Sequence, residues 1–350
     1  MTTARHALVV GASGIVGGAL AAELSARPGW RVTGVSRRGR EATGWRRLPL
    51  DLTAAAACRE AARELTDVTH FFFCARYSDR DPVREAHVNR AMLTNLLEPL
   101  AAGAAGLTHV SLVHGTKWYG SHLGPYKTPA RESDPRHEGP NFYFDQLDAV
   151  AALRRGASWT WSTVRPHIVC APTTGYPFNL VTLLGAYGSL CAARGLPFDF
   201  PGTEACFHSV SQATDASLLA RAMVWAATEP ECADQSFNII DGDYFRWSGI
   251  WPRLADFFGV MRGEVRPTRL SAEMADAEAE WGALVEARGL TPLPVTALAN
   301  WRFGDFLFRA DWDDMSSMLK ARRYGFHEAL DTEESILGSL AELRRRRVIP

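Results

Sequence analysis

Short, nearly unbroken apolar runs recur along the first 170 residues, and helix-spaced segments separate most of them. The runs "HALVVGA", "RVTGVSR", "WRRLPLDL", "THFFFCA", "THVSLVHG" and "WTWSTVRPHIV" read as six strands. Residues 14–26, 53–65, 82–102 and 142–156 read as helices, the first with Leu20, Ala21 and Leu24 on one face. Strands that are apolar throughout, rather than alternating, are buried on both faces, which points to a parallel sheet covered by helices.

After Cys170 the pattern changes. "NLVTLLGAYGSLCAARG" and "QATDASLLARAMVWAATEP" read as helices, and "QSFNIID" as one more sheet strand. The segments from "WSGIWPRLADFFGV" to "TEESILGSLAELRRRR" read mainly as helices. The expected fold class is α/β: a Rossmann-type doubly wound parallel sheet with a smaller, mainly helical substrate domain. The chain is expected to leave the sheet and return, so that residues 1–174 and 206–244 form the sheet domain. Residues 175–205 and 245–350 form the substrate domain.

Composition adds exclusions. The 350 residues are 47% hydrophobic and 22% charged with a formal net charge of -1, an ordinary balance for a globular protein. No long basic run favours a nucleic acid or a membrane surface, since "LRRRRV" is short and ends a helical segment, where cations suit the dipole. No apolar run reaches membrane-spanning length. The six cysteines (Cys58, Cys74, Cys170, Cys191, Cys206, Cys232) lack any C-x-x-C pair, so reduced structural thiols and no metal site are expected. "MTTARHALVV" runs directly into a strand without room for a signal peptide, and the expected location is cytoplasmic.

The chemistry begins at "VVGASGIVGGAL", where Gly11, Gly14 and Gly17 lie between strand and helix. Such a loop permits a tight turn and close backbone approach to a pyrophosphate at a helix N-terminus. The second strand ends in Ser36, Arg37 and Arg38, where an NAD enzyme usually carries an acid for the ribose hydroxyl. Guanidinium groups there suit a 2′-phosphate, which makes NADP(H) the expected cofactor. Asp51 either caps the next helix or meets the adenine.

At the end of the fifth strand stands Lys117, and Tyr143 opens the helix before the sixth. Tyr143 is followed four residues later by Leu147 rather than by a lysine. Lys117 could converge on Tyr143 from the neighbouring element, lowering a phenol pKa that is ordinarily about 10. Alternatively, Tyr143 is core packing and Lys117 solvated surface.

These residues carry a resemblance. "GTKWYG", "NFYFDQLDAV", "LVVGASGIVGGAL", "VSRR", "WTWSTVRP", "FNIIDGDYFRWSGIWPRLADFFGV", "RGLTP", "WRFGDFLF" and "VIP" resemble, in order, segments of one family. It is the progesterone 5β-reductase/iridoid synthase-like family of atypical, extended short-chain dehydrogenases. The resemblance implies NADPH-dependent 1,4-reduction of the activated double bond of an enone or enal, with Tyr143 and Lys117 catalytic. It implies cofactor contacts from Gly11, Ser13, Gly14, Ile15, Val16, Gly17, Ser36, Arg37, Arg38, Asp51, Leu52, Cys74, Ala75, Pro166 and Val169, besides Lys117 and Tyr143. Arg76, Tyr119 and Phe303 are expected at the substrate pocket.

The chain departs from the family at Ala75 and Arg76, at His114 in place of a threonine, and at His167 in place of a glycine. Arg76 would meet an anionic substrate group or a neighbouring acid. Two other functions stay open: a carbonyl reductase or extended epimerase/dehydratase, and a non-catalytic NADP-binding regulator. A small-molecule substrate is expected, with a homodimer as one open assembly.

Overall fold

The computed structural model describes residues 5–37, 44–176 and 178–350. Its strands are β1 (Arg5–Val10), β2 (Trp30–Ser36), β3 (Arg46–Pro49), β4 (His70–Phe73), β5 (His109–Val113), β6 (Thr160–Arg165) and β7 (Ile168–Cys170). They continue as β8 (Phe198–Phe200), β9 (Val210–Ser211), β10 (Ala213–Asp215), β11 (Gln235–Asn238), β12 (Phe245–Arg246) and β13 (Arg262–Val265). The helices begin with α1 (Ile15–Ser25), α2 (Ala55–Glu64), α3 (Pro82–Gly103), α4 (Phe142–Arg154), α5 (Leu180–Arg194), α6 (Glu204–His208) and α7 (Ala216–Thr228). They end with α8 (Trp247–Phe258), α9 (Leu270–Glu273), α10 (Ala277–Arg288), α11 (Trp301–Leu307), α12 (Leu319–Arg323) and α13 (Thr332–Arg345).

Seven strands form one sheet in the order β11-β6-β5-β4-β1-β2-β3, and every pairing is parallel. Alternation along β1 and β4 feeds two cores, because successive side chains leave a strand on opposite faces. Ala7, Val9 and Phe72 pack with residues of α1 and α7, whereas Leu8, Val10, Phe71 and Phe73 pack with residues of α2 and α3. A third core gathers Tyr187, Phe198, Trp247, Trp251 and Trp281 from α5, β8, α8 and α10. Among the described residues, no helix is long and apolar enough to cross a membrane.

Two expectations need correction. The sixth apolar run is two strands, not one. Pro166 has no N–H to give a ladder, and His167 N donates instead to Thr214 Oγ1 at 3.1 Å. β7 then leaves the large sheet and pairs with β10. The region after Cys170 also holds small β pairs, β8 with β13 and β9 with β12, too short to show a period of two.

Candidate active site

The strand order reverses direction at β1 and β4: the chain moves outward through β2 and β3, then crosses back to β4. Ligands of open α/β sheets bind at such a point, beyond the carboxyl ends of the strands. Gly11 follows β1 with φ +87°, a left-handed conformation suited to glycine. A Cβ there would lie 2.8 Å from Ala75 N and Cys74 C. At Gly17 a Cβ would lie 2.3 Å from Gly11 O, so the turn and α1 touch backbone to backbone.

Gly14 is the N-cap of α1, with no side chain accepting from the first turn and no acid within it. The open N–H groups and the dipole leave a positive end facing the crevice. This cradle fits the pyrophosphate of a dinucleotide. Ser13 is exposed at its lip, while Ile15 and Val16 are buried beneath.

Ser36 is half-buried and Arg37 exposed at the tip of β2; Arg38 lies outside the described residues. Asp51 accepts from Thr53 N at 2.9 Å and Thr53 Oγ1 at 2.8 Å. Those bonds, with help from the Arg37 charge, hold its carboxyl below the usual range. Leu52 is buried, and its carbonyl accepts from Asn95 Nδ2 at 2.9 Å. Across the crevice Cys74 and Ala75 are half-buried, and burial pushes the Cys74 thiol up to about 12. Pro166 is buried and Val169 half-buried near the ends of β6 and β7.

Lys117 rides on a single 3-10 turn, Thr116–Tyr119, which ends at Gly120 with φ +83°. Tyr143 lies in the first turn of α4 and is 7% exposed. A Cβ on Gly115 would lie 3.1 Å from the Tyr143 hydroxyl, so the phenol ends directly over the strand-to-turn junction that carries Lys117. Asn141 joins the two elements. Its Oδ1 accepts from Tyr143 N at 3.0 Å as the N-cap of α4, and its Nδ2 donates to Lys117 O at 2.8 Å.

The electrostatics bring in a third group. Burial pushes the Tyr143 phenol up, and the positive charge of Arg76 pulls it back. Burial pushes the Lys117 ammonium down, with Arg76 adding to the shift and Glu85 opposing it. Arg76 Nη2 pairs with Glu85 Oε1 at 3.1 Å, and its guanidinium sits 5.6 Å from the Phe142 ring centroid. Among the described residues the Lys117 ammonium forms no hydrogen bond or ion pair of its own.

His114 is buried with its ring 4.7 Å from that of Tyr143 and 5.6 Å from that of Trp118. Neither of its nitrogens has a partner among the described residues. Burial first, then the charges of Arg165 and Arg136, holds its pKa well below the ordinary value. The ring is neutral at pH 7.

Phe303 is half-buried on α11, 5.8 Å centroid to centroid from Phe178, which in turn lies 6.1 Å from Tyr176. Tyr119 departs from expectation. Its hydroxyl donates to Asn238 Oδ1 at 2.7 Å and accepts from Arg165 Nη1 at 3.0 Å. Both capacities of the phenol are spent inside the fold, so Tyr119 is a structural tie rather than a pocket donor. His167 is likewise structural: its Nε2 lies 2.9 Å from Ser316 Oγ and its Nδ1 3.6 Å from Asp314 Oδ2.

Asn141, Glu85, Tyr176 and Phe178 escaped the sequence reading. The Asn141 signal was present, because an asparagine just before a helical run is an N-cap signature. Glu85 had none, since nothing local marks it as a partner of Arg76.

A model of the PRISE-like Rossmann-fold domain family matches residues 51–340. An (S)-8-oxocitronellyl enol synthase from Camptotheca acuminata is 32% identical across 98% of this chain and 93% of its own. A 3-oxo-Delta(4,5)-steroid 5-beta-reductase from Arabidopsis thaliana is 30% identical across 98% of this chain and 93% of its own. Among solved structures, a short-chain dehydrogenase/reductase superfamily protein from Agrobacterium tumefaciens with bound NAD superposes with a TM-score of 0.69. It covers 98% of each chain at 17% identity, a likeness of fold.

Proposed function

This chain belongs to the PRISE-like Rossmann-fold family, and we propose that it is an NADPH-dependent ene-reductase of enones and enals. It is an oxidoreductase of the short-chain dehydrogenase/reductase class. The finer reading rests on one observation above others: Asn141 holds the Lys117 turn and the Tyr143 helix together through two hydrogen bonds.

Gly11, Gly14 and Gly17 would hold the pyrophosphate and Arg37 the 2′-phosphate. The bound cofactor supplies the hydride that adds to the β-carbon of the substrate. Tyr143 donates its hydroxyl hydrogen bond to the carbonyl oxygen as negative charge develops there. One well-aimed donor to such an oxygen is worth about 3 kcal/mol. Arg76 lowers the cost of that charge, which burial of the phenol would otherwise raise. Lys117, on the turn that Asn141 ties to Tyr143, would position the nicotinamide ribose. The exposed Phe178 and the half-buried Phe303 form an apolar wall, and residues 175–205 and 245–350 form the substrate side. Small neutral enones and enals fit this reading, and the location we expect is the cytoplasm.

The test offers 2-cyclohexen-1-one and benzaldehyde with NADPH, and identifies the products. Saturated ketone from the enone is expected. Alcohol from the aldehyde with no enone reduction would favour the carbonyl-reductase reading, because the same phenol contact also serves direct addition to C=O. Tyr143→Phe should lower kcat for the enone about a hundredfold and leave the NADPH Kd within about threefold. Equal turnover by that variant would defeat the mechanism.

A further inference from the structure

Arg76 is held at one corner of its fork. Some arginines of this protein close on their carboxylate, Arg136 giving two bonds to Asp148, at 2.8 and 2.6 Å, and Arg194 two to Glu280, at 2.7 and 3.2 Å. Others, such as Arg27 with Glu23 and Arg63 with Glu60, make a single bond. Arg76 makes one bond, from Nη2 to Glu85 Oε1 at 3.1 Å. Its other guanidinium nitrogens have no hydrogen-bond partner among the described residues. The side chain is 40% exposed while that of Glu85 is 13% exposed. The Phe142 face, 5.6 Å from the guanidinium carbon, limits how far the group swings. A fork fixed at one corner and open along the rest is the arrangement that receives a second carboxylate through parallel N–H bonds.

The charge balance points the same way. Arg76 and Lys117 are close enough to repel one another, and Glu85 acts on both. Two cations against one carboxylate leave the group of Arg76, Lys117 and Glu85 with a net positive charge. Tyr143 and Tyr176 both feel the Arg76 charge, so an oxygen held by Tyr143 and an anion held by Arg76 fall within one small molecule.

We propose that the site takes a conjugated enone or enal bearing a carboxylate, and that Arg76 receives the carboxylate. The proposal rests on the reductase reading and narrows it to a substrate class. Neutral enones remain turned over, but less efficiently, and cationic ones are disfavoured by both Arg76 and Lys117.

The experiment compares 3-(3-oxocyclohex-1-enyl)propanoate with its methyl ester. In the unmodified protein kcat/KM should favour the acid by about tenfold or more, the value of a charge-assisted pair. That ratio should shrink as KCl rises, because the arginine is partly exposed. Arg76→Gln should bring the ratio to about one, whereas Glu85→Gln, which opens the fork fully, should raise it; a merely structural role for the pair would move both variants alike.

Binding is measured separately, from tryptophan fluorescence of the NADPH-loaded protein titrated with the saturated acid and ester. An acid no better than the ester, or a preference unchanged in Arg76→Gln, overturns the proposal while enone reduction stands. Acid-selective binding lost in Arg76→Gln, without reduction of any enone, upholds the carboxylate site and defeats the reductase reading.

Discussion

Removing the Asn141 side chain in two different ways separates the tie between Lys117 and Tyr143 from ordinary helix capping. Asn141 is 8% exposed, and its Oδ1 caps Tyr143 N while its Nδ2 satisfies Lys117 O. Asn141→Ala removes both bonds, together with the Nδ2 contact to His137 Nε2 at 2.9 Å. Loss of an N-cap costs about 1 kcal/mol. Loss of the bond to Lys117 O, which still accepts from Gly120 N at 3.2 Å, adds about 0.5–1.5 kcal/mol, so the stability loss should be about 1.5–2.5 kcal/mol. Asn141→Asp keeps an oxygen acceptor for Tyr143 N and adds a charge favoured at a helix N-terminus. It loses the donor to Lys117 O and sets a carboxylate oxygen against a carbonyl oxygen.

The Asp variant should therefore retain α4 while releasing the Lys117 turn. A displacement of about 1 Å at a reacting group costs on the order of a hundredfold in rate, so kcat should fall between about tenfold and a hundredfold. The NADPH Kd and the far-ultraviolet circular dichroism should hardly change. Urea unfolding of both variants supplies the stabilities, and NADPH consumption with 2-cyclohexen-1-one supplies the rates. Turnover by Asn141→Asp within twofold of the unmodified protein would refute the positioning role of this side chain.

Gly11→Ala should lose NADPH binding by more than about tenfold, since the residue has φ +87° and its Cβ would meet backbone at 2.8 Å; a fluorescence titration giving an unchanged Kd would count against the cradle. Arg37→Glu should reduce the preference for NADPH over NADH by more than about tenfold, measured as the ratio of Kd values, and an unchanged ratio would remove the 2′-phosphate from the tip of β2. Asp241 is 1% exposed, and burial first, with the charges of Asp215 and Asp243 adding, raises its pKa to about 7. A raised folded-state pKa means that the native protein holds this proton more tightly than the unfolded chain does. Its stabilising effect is complete below about pH 4 and is lost as pH rises to about 7, up to about 4 kcal/mol in all. Asp241→Asn should unfold like the unmodified protein near pH 4 and at a visibly higher temperature near pH 8, and parallel melting profiles would refute the assignment.

The local features of this protein were readable from the chain. Apolar runs marked β1 and β4 because burial on both faces leaves few polar positions along these inner strands. The glycine loop was legible because Gly11 and Gly17 answer a backbone demand made within seven residues. The same holds for the asparagine cap of α4, a signal two residues long. Where β6 ends was decided by Pro166 together with Thr214, which lies on β10 and draws the His167 amide away.

The site's electrostatics belonged to the tertiary structure alone. Tyr119 read as a pocket residue until folding brought Asn238, 119 positions away, onto its hydroxyl. His167 looked like a departure near the cofactor until Ser316, 149 positions away, met its ring. Arg76, just after β4, meets Glu85 in the first turn of α3, and it gains the proximity of Tyr143 because the carboxyl ends of β4 and β5 and the first turn of α4 converge. Periodicity and turn chemistry act between neighbours in the chain, so a sequence carries them openly. Hydrogen bonds and charges act through space, so which phenol is spent and which guanidinium stays open is determined when the helices pack.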